Sequence, residues 1–113
     1  MQMIMAVIQP SRLGPVREAL LQAGITGMTV TEARGFGMQG GVTSTYRGAE
    51  YRIDFLPKLR VEVALKDSQV ETAVTAISDA ARTGNIGDGK IFISPITQVF
   101  RIRTGEKDDI ALA

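Results

Sequence analysis

"LPKLRVEVALKDSQVETAVTAISDAARTG", Leu56 to Gly84, changes its hydrophobic period part-way along. In its first half Leu59, Val61, Val63 and Leu65 fall on one side of an extended chain. Lys58, Arg60, Glu62 and Ala64 fall on the other, which is the period of a half-buried strand. After Lys66 the apolar residues Val70, Val74, Ile77 and Ala81 recur at helical spacing. Ser68 and Glu71 form an S-x-x-E capping box, able to satisfy two orphan amides at the helix start, and Gly84 offers a stop. The stretch reads as a strand running directly into a helix.

The same alternation of elements extends outward. Downstream, "NIGDGK" (85–90) reads as a turn and "KIFIS" (90–94) as a strand interrupted by Pro95; "QVFRIR" (98–103) resumes extended structure before a charged tail. Upstream, Met1 to Ile8 is an almost continuous apolar run, the pattern of a strand buried on both faces. Ser11 can cap a helix with Pro15 in its first turn; Leu13, Val16, Leu20 and Ala23 form its stripe, and Gly24 ends it in a left-handed conformation. Met28 and Val30 then alternate with Thr29 and Thr31 as a strand with one apolar face. The order β-α-β, long loop, β-α-β predicts a ferredoxin-like βαββαβ sandwich of the α+β class, a single domain over residues 1–113. Its two helices cover one sheet face. The other face carries Thr29, Thr31, Lys58, Arg60, Glu62 and Ala64: either a wet face, or the wall of binding clefts in an oligomer.

Composition removes whole classes of chemistry. The chain has neither Cys nor His, so disulfides, thiolate catalysis, Ser-His-Asp triads and ordinary zinc sites are excluded, and any metal must be a hard ion on oxygen ligands. A formal charge of +1 and few aromatics speak against nucleic acid as a partner. "MQMIMAVI" is far shorter than the ~20 residues of a membrane span, so no direct membrane insertion is expected and the cytoplasm is the default location.

Individual motifs carry two readings each. "GDGK" (87–90) is an anion-holding nest of backbone amides with a lysine beside it, or a plain D-G turn. Arg101 and Arg103 in "RIRTGE" sit about 7 Å apart on one side of an extended segment, a phosphate clamp or a charged edge. Lys58 and Glu62 form a surface pair of little worth, or meet a ligand's anion and hydroxyl. "GFG" (35–37) allows a close backbone approach or marks a bend. Gln39 is a magnesium ligand or a loop residue, and Tyr46 and Tyr51 are packing anchors or exposed for modification. The stretch Gly35 to Phe55 exceeds the roughly 12–15 residues beyond which loops are usually functional or disordered.

The hexapeptide "YRGAEY" (46–51) resembles the Y-[KR]-G-[AS]-E-Y signature of the PII nitrogen-regulatory signal proteins. "GFG", "DFLPK" (54–58), "RTGNIGDGKIF" (82–92) and "RIRTGE" (101–106) resemble further blocks of that family in the same order, so the similarity spans nearly the whole chain. The resemblance implies a non-enzymatic homotrimer with nucleotide clefts between subunits, a T-loop at about 37–55, a B-loop at about 82–90 and a C-loop at about 104–113. It implies a cytoplasmic sensor of ATP, ADP and 2-oxoglutarate whose T-loop acts on an ammonium transporter or another nitrogen-metabolism target.

By position, Thr29, Gly35, Phe36, Gly37, Met38, Glu62, Gly87, Asp88, Gly89 and Lys90 would line the nucleotide site, with Arg101 and Arg103 reaching its phosphates across the subunit boundary. Gln39, Lys58 and Gly87 would take 2-oxoglutarate, Gln39 also holding magnesium. Arg47 would contact a partner and Tyr51 would be the modified residue. Met38 stands where the family most often has arginine and contributes only its backbone N–H. Gly40 and Asn85 replace lysines common there, and Ala49 replaces a serine. These departures imply altered ligand preference. A paralogue answering a different signal, or a slow phosphatase or ATPase on the same fold, is the rival reading.

Overall fold

The structure, a computed structural model, describes residues 1–35, 42–46, 49–53 and 55–112, the second and third of these segments as backbone only. Strand β1 (Gln2–Ile8) leads through a 3-10 turn at Pro10–Arg12 into helix α1 (Leu13–Gln22), followed by β2 (Thr29–Gly35). Strands β3 (Val42–Tyr46) and β4 (Ala49–Ile53) precede β5 (Leu56–Leu65), helix α2 (Asp67–Ala81), β6 (Lys90–Pro95) and a short helix α3 (Asp109–Leu112). The main sheet has the order β2-β5-β1-β6, with every neighbouring pair antiparallel. This is the ferredoxin-like α+β sandwich that the alternating elements predict.

Register explains which side is dry. Ile4 faces Val63 and Ile93, and Ala6 faces Val61 and Ile91, so these residues share the helix-covered face. Ile4, Ala6, Val16, Val61 and Ala73 are fully buried there, with Leu20 and Ile77 close to it. Burying each large side chain contributes about 1.5–3 kcal/mol. The Arg12 guanidinium donates to Ala80 O from Nε at 2.9 Å and Nη2 at 2.6 Å, tying the entry of α1 to the exit of α2. Gly24 adopts φ 81°, with Ile25 N donating to Leu20 O at 2.9 Å, the left-handed stop expected for α1.

Four local expectations are corrected. β1 is buried on one face only: Met3, Met5 and Val7 alternate half-buried with the buried Ile4, Ala6 and Ile8, because both long helices lie on the same side of the sheet. Ser11 does not cap α1; it lies inside the 3-10 turn, which supplies the first turn of α1 with backbone partners. The Ser68–Glu71 box is absent. Only Lys66 separates β5 from α2, so the cap falls on that extended residue, and its amide donates to Gln69 Oε1 at 3.4 Å. Residues 98–103 do not continue as a strand. Beyond a single bridge of Phe100 with Lys107 the chain turns, with Gly105 N donating to Arg101 O at 2.7 Å.

Within Gly35 to Phe55, β3 and β4 pair antiparallel from Val42–Ile53 to Tyr46–Ala49, a hairpin pairing that a loop reading of this polar stretch does not anticipate. Among the described residues no helix is long and apolar enough to cross a membrane.

Candidate functional site

The helix-free face is built by the residues that alternate with the core. In register, Thr29 lies opposite Glu62, Thr31 opposite Arg60 and Ala33 opposite Lys58; Arg60 and Lys90 flank Val7, while Glu62 and Phe92 flank Met5. At one end of this face the glycine-rich loop after α2 folds back onto β1 and β5. Three of its glycines take left-handed angles: Gly84 at φ 89°, Gly87 at 104° and Gly89 at 103°.

Asp88 organises the loop. Its carboxylate accepts from Thr83 N at 2.8 Å, Gly84 N at 2.9 Å and the Thr83 hydroxyl, and the Thr83 bonds hold its carboxyl below the usual carboxylate range. Gly89 lies against the strand: a β-carbon there would sit 1.7 Å from Val7 O. The Gly87 carbonyl accepts two bonds, from Lys58 Nζ at 2.8 Å and Gln9 Nε2 at 2.9 Å.

Lys58 is only 8% exposed, the one charged residue in the buried set among the described residues. Its pKa is lowered by burial, with the Asp88 charge pulling the other way. Gly35 packs on its stem, since a β-carbon there would lie 3.0 Å from Lys58 Cγ. Gly35, Lys58, Gly87, Asp88 and Gly89 therefore come together as one constellation, an ammonium beside a glycine-lined backbone. The surface Lys58–Glu62 pair does not form: Glu62 pairs with Arg60 at 3.2 Å.

Thr29 and Glu62 sit elsewhere on the same face. They line a cleft of about 680 Å³ with Gly27, Met28, Ala64, Val99 and the C-terminal residues Ala111 and Leu112. Lys58 and Glu62 are four strand residues apart, about 13 Å. The face thus offers an ammonium at one end and a carboxylate with a threonine at the other, a spacing suited to a ligand with an anionic end and a hydroxylated or basic end.

The two C-terminal arginines are not a strand clamp. Arg101 donates to Glu106 Oε1 at 2.6 Å and Ile110 O at 2.8 Å, whereas Arg103 is exposed in the turn that follows. Phe36, Gly37, Met38, Gln39 and Arg47 lie outside the described residues, as does the side chain of Tyr51, which stands opposite Ser44 in β4. Among the described residues no group of three or more carboxylates, His or Cys is arranged for a metal. Sequence reasoning missed Gln9 and Thr83. Neither stands in a periodic pattern, and each takes its role only from the return of the loop.

The family model described as "Nitrogen regulatory protein P-II" matches residues 1–106. The chain is 58% identical over 112 residues to the nitrogen regulatory protein P-II of Azospirillum brasilense, covering 99% of this chain and 100% of that one. It is 56% identical over 112 residues to nitrogen regulatory protein P-II 1 of Escherichia coli K12, with the same coverage, 99% and 100%. Among solved structures, the fold is similar to that of Arabidopsis thaliana PII bound to citrate. The TM-score is 0.81 at 38% identity, covering 98% of this chain and 88% of the other.

Proposed function

The chain belongs to the nitrogen regulatory protein P-II family, and from that premise we propose that it is a sensor of ATP or ADP and of 2-oxoglutarate. Its relatives are named as regulators rather than enzymes, which fits a signalling role. The observation that carries the ligand reading is the buried ammonium of Lys58, held 2.8 Å from Gly87 O beside a loop whose glycines let backbone approach closely. An ammonium desolvated in this way gains from a carboxylate arriving beside it, because opposite charge offsets the cost of burial. The neighbouring fold bound to citrate is that of a protein that takes up a polycarboxylate.

In this reading nucleotide lies along the open face. Thr29 and Glu62 meet its base and ribose end, and Gly35, Phe36, Gly37, the Met38 backbone N–H and Gly87 to Lys90 line the phosphates. Arg101 and Arg103 reach the phosphates from a neighbouring subunit of a homotrimer. Lys58, Gly87 and Gln39 take 2-oxoglutarate, Gln39 also holding magnesium. The segment of about 37–55 is the output arm, Arg47 contacting an ammonium transporter or another nitrogen-metabolism target and Tyr51 serving as a modification site. A cytoplasmic location goes with this role.

The trimer gains support from the open face itself, where Phe92 remains 51% exposed beside the half-buried Met5. Such an apolar strip on a central sheet is what subunit contact covers. The substituted positions Met38, Gly40 and Asn85 remove positive charge and favour a shifted preference between ATP and ADP.

Replacement of the ammonium tests the reading. Lys58→Met is expected to bind Mg-ATP within about threefold of the wild type and to lose 2-oxoglutarate binding by more than about tenfold in calorimetric titration. Equal 2-oxoglutarate affinity in the variant would remove Lys58 from the site.

A further inference from the structure

Two donors, one in β5 and one just past the end of β1, converge on one backbone carbonyl. Gly87 O accepts from Lys58 Nζ at 2.8 Å and from Gln9 Nε2 at 2.9 Å. A carbonyl oxygen has two lone pairs, so both bonds coexist. Gln9 immediately follows β1, between the buried Ile8 and Pro10, which opens the 3-10 turn; its backbone is extended at φ −66°, ψ 138°. Two residues earlier, Val7 O is the atom that excludes any β-carbon from Gly89. The end of β1 therefore grips the glycine-rich loop twice, once by close packing and once through the Gln9 amide.

The two donors differ in what else they can do. The Lys58 ammonium is charged and has more than one donor hydrogen, so an arriving carboxylate draws it away from Gly87 O or makes it share. The Gln9 carboxamide is neutral and gains little from an anion. We infer that Gln9 is a positioning residue of the anion site: it keeps the Gly87 carbonyl bonded, and the loop of residues 83–90 in place, while Lys58 turns to a bound carboxylate. The inference rests on the reading of Lys58 given above. Without a second donor, each binding event would leave a partly buried carbonyl unsatisfied, and that penalty would subtract from affinity. A neutral amide meets the need without placing a second cation against the desolvated Lys58.

The test is a four-way cycle of wild type, Gln9→Leu, Lys58→Met and the double variant, with Gln9→Lys as a variant that restores a donor. Amide hydrogen exchange over residues 83–90 in the ligand-free chain should rise less than about threefold in each single variant and more than about tenfold in the double, because either donor alone holds the carbonyl. Titration of 2-oxoglutarate onto the Mg-ATP-loaded chain should weaken about five- to tenfold in Gln9→Leu, with Mg-ATP affinity within about twofold of wild type. Gln9→Lys should return loop protection to the wild-type level.

If the double variant exchanges no faster than Lys58→Met, the inference is overturned. The same holds if Gln9→Leu binds 2-oxoglutarate as tightly as the wild type, or weakens it in a background where loop exchange shows no dependence on Gln9. Should wild-type protein take up no 2-oxoglutarate at all, the Lys58 reading fails first and the inference falls with it.

Discussion

Gly89 has the tightest surroundings of the described glycines. It combines φ 103° with a β-carbon position 1.7 Å from a backbone oxygen, and backbone cannot yield as a side chain does. Gly89→Ala is expected to lower stability by at least about 2 kcal/mol, roughly 10 °C in Tm, read by thermal unfolding. Among the described residues Gly35→Ala first meets the flexible stem of Lys58, at 3.0 Å, and should cost far less in the same assay. Asp88 gives a pH prediction. Its carboxyl is depressed below 3.8 by the Thr83 bonds, so its stabilisation of the loop is complete above that value and is lost as pH falls through the depressed pKa. Protection of the Thr83 and Gly84 amides should fall in that acid window, and Asp88→Ala should abolish it at neutral pH. Lys58 has the opposite charge type and a lowered pKa. Below that pKa its burial penalty is present in full, and it is relieved as pH rises toward 10.5. Residues such as Gly87 and Lys58 were legible as candidates because their types suit anions. Gln9 was not, because a hydrogen bond across 78 residues of chain leaves no local pattern; Thr83 was not, because its bonds to Asp88 form only once the glycine-rich loop turns back on itself.

At the scale of elements, the change of period across Leu65–Val70 was sufficient to place β5 and α2, and the alternating faces of β5 predicted which side chains reach the core. The cap was misplaced because a capping box is a local pattern, whereas the end of β5 is set by its pairing with Gln2 in β1. This separates two outcomes. Ser68→Ala should change stability by no more than about 0.5 kcal/mol, instead of the ~1 kcal/mol lost with a true cap, measured by denaturant unfolding. Ile77→Ala, in the packed face of α2 at 1% exposure, should cost about 2–5 kcal/mol in the same experiment. The β3–β4 pairing escaped a loop reading because Gly35, Gly37, Gly40 and Gly41 dominate its approach, although "VTSTY" (42–46) is rich in β-branched residues. The Arg101–Glu106 turn escaped because alternation in "VFRIR" mimics a strand, whereas among the described residues the pairing there is the single Phe100–Lys107 bridge.

The described residues present one sheet face covered by the two long helices and one bearing separated charges with Phe92 exposed beside the half-buried Met5. A homotrimer built on that second face would bury Phe92, which is 51% exposed in the single chain. Sedimentation should then report three chains of 12.2 kDa, and Phe92→Asp should shift the protein toward smaller species. If nucleotide and 2-oxoglutarate occupy one connected site, as proposed, their affinities are coupled and the coupling is reciprocal. The direct measurement is a pair of calorimetric titrations of the wild-type protein: 2-oxoglutarate with and without Mg-ATP, and Mg-ATP with and without saturating 2-oxoglutarate. Each ligand is expected to tighten the other by the same factor, about tenfold or more. Nucleotide binding that is indifferent to 2-oxoglutarate in both directions would contradict it.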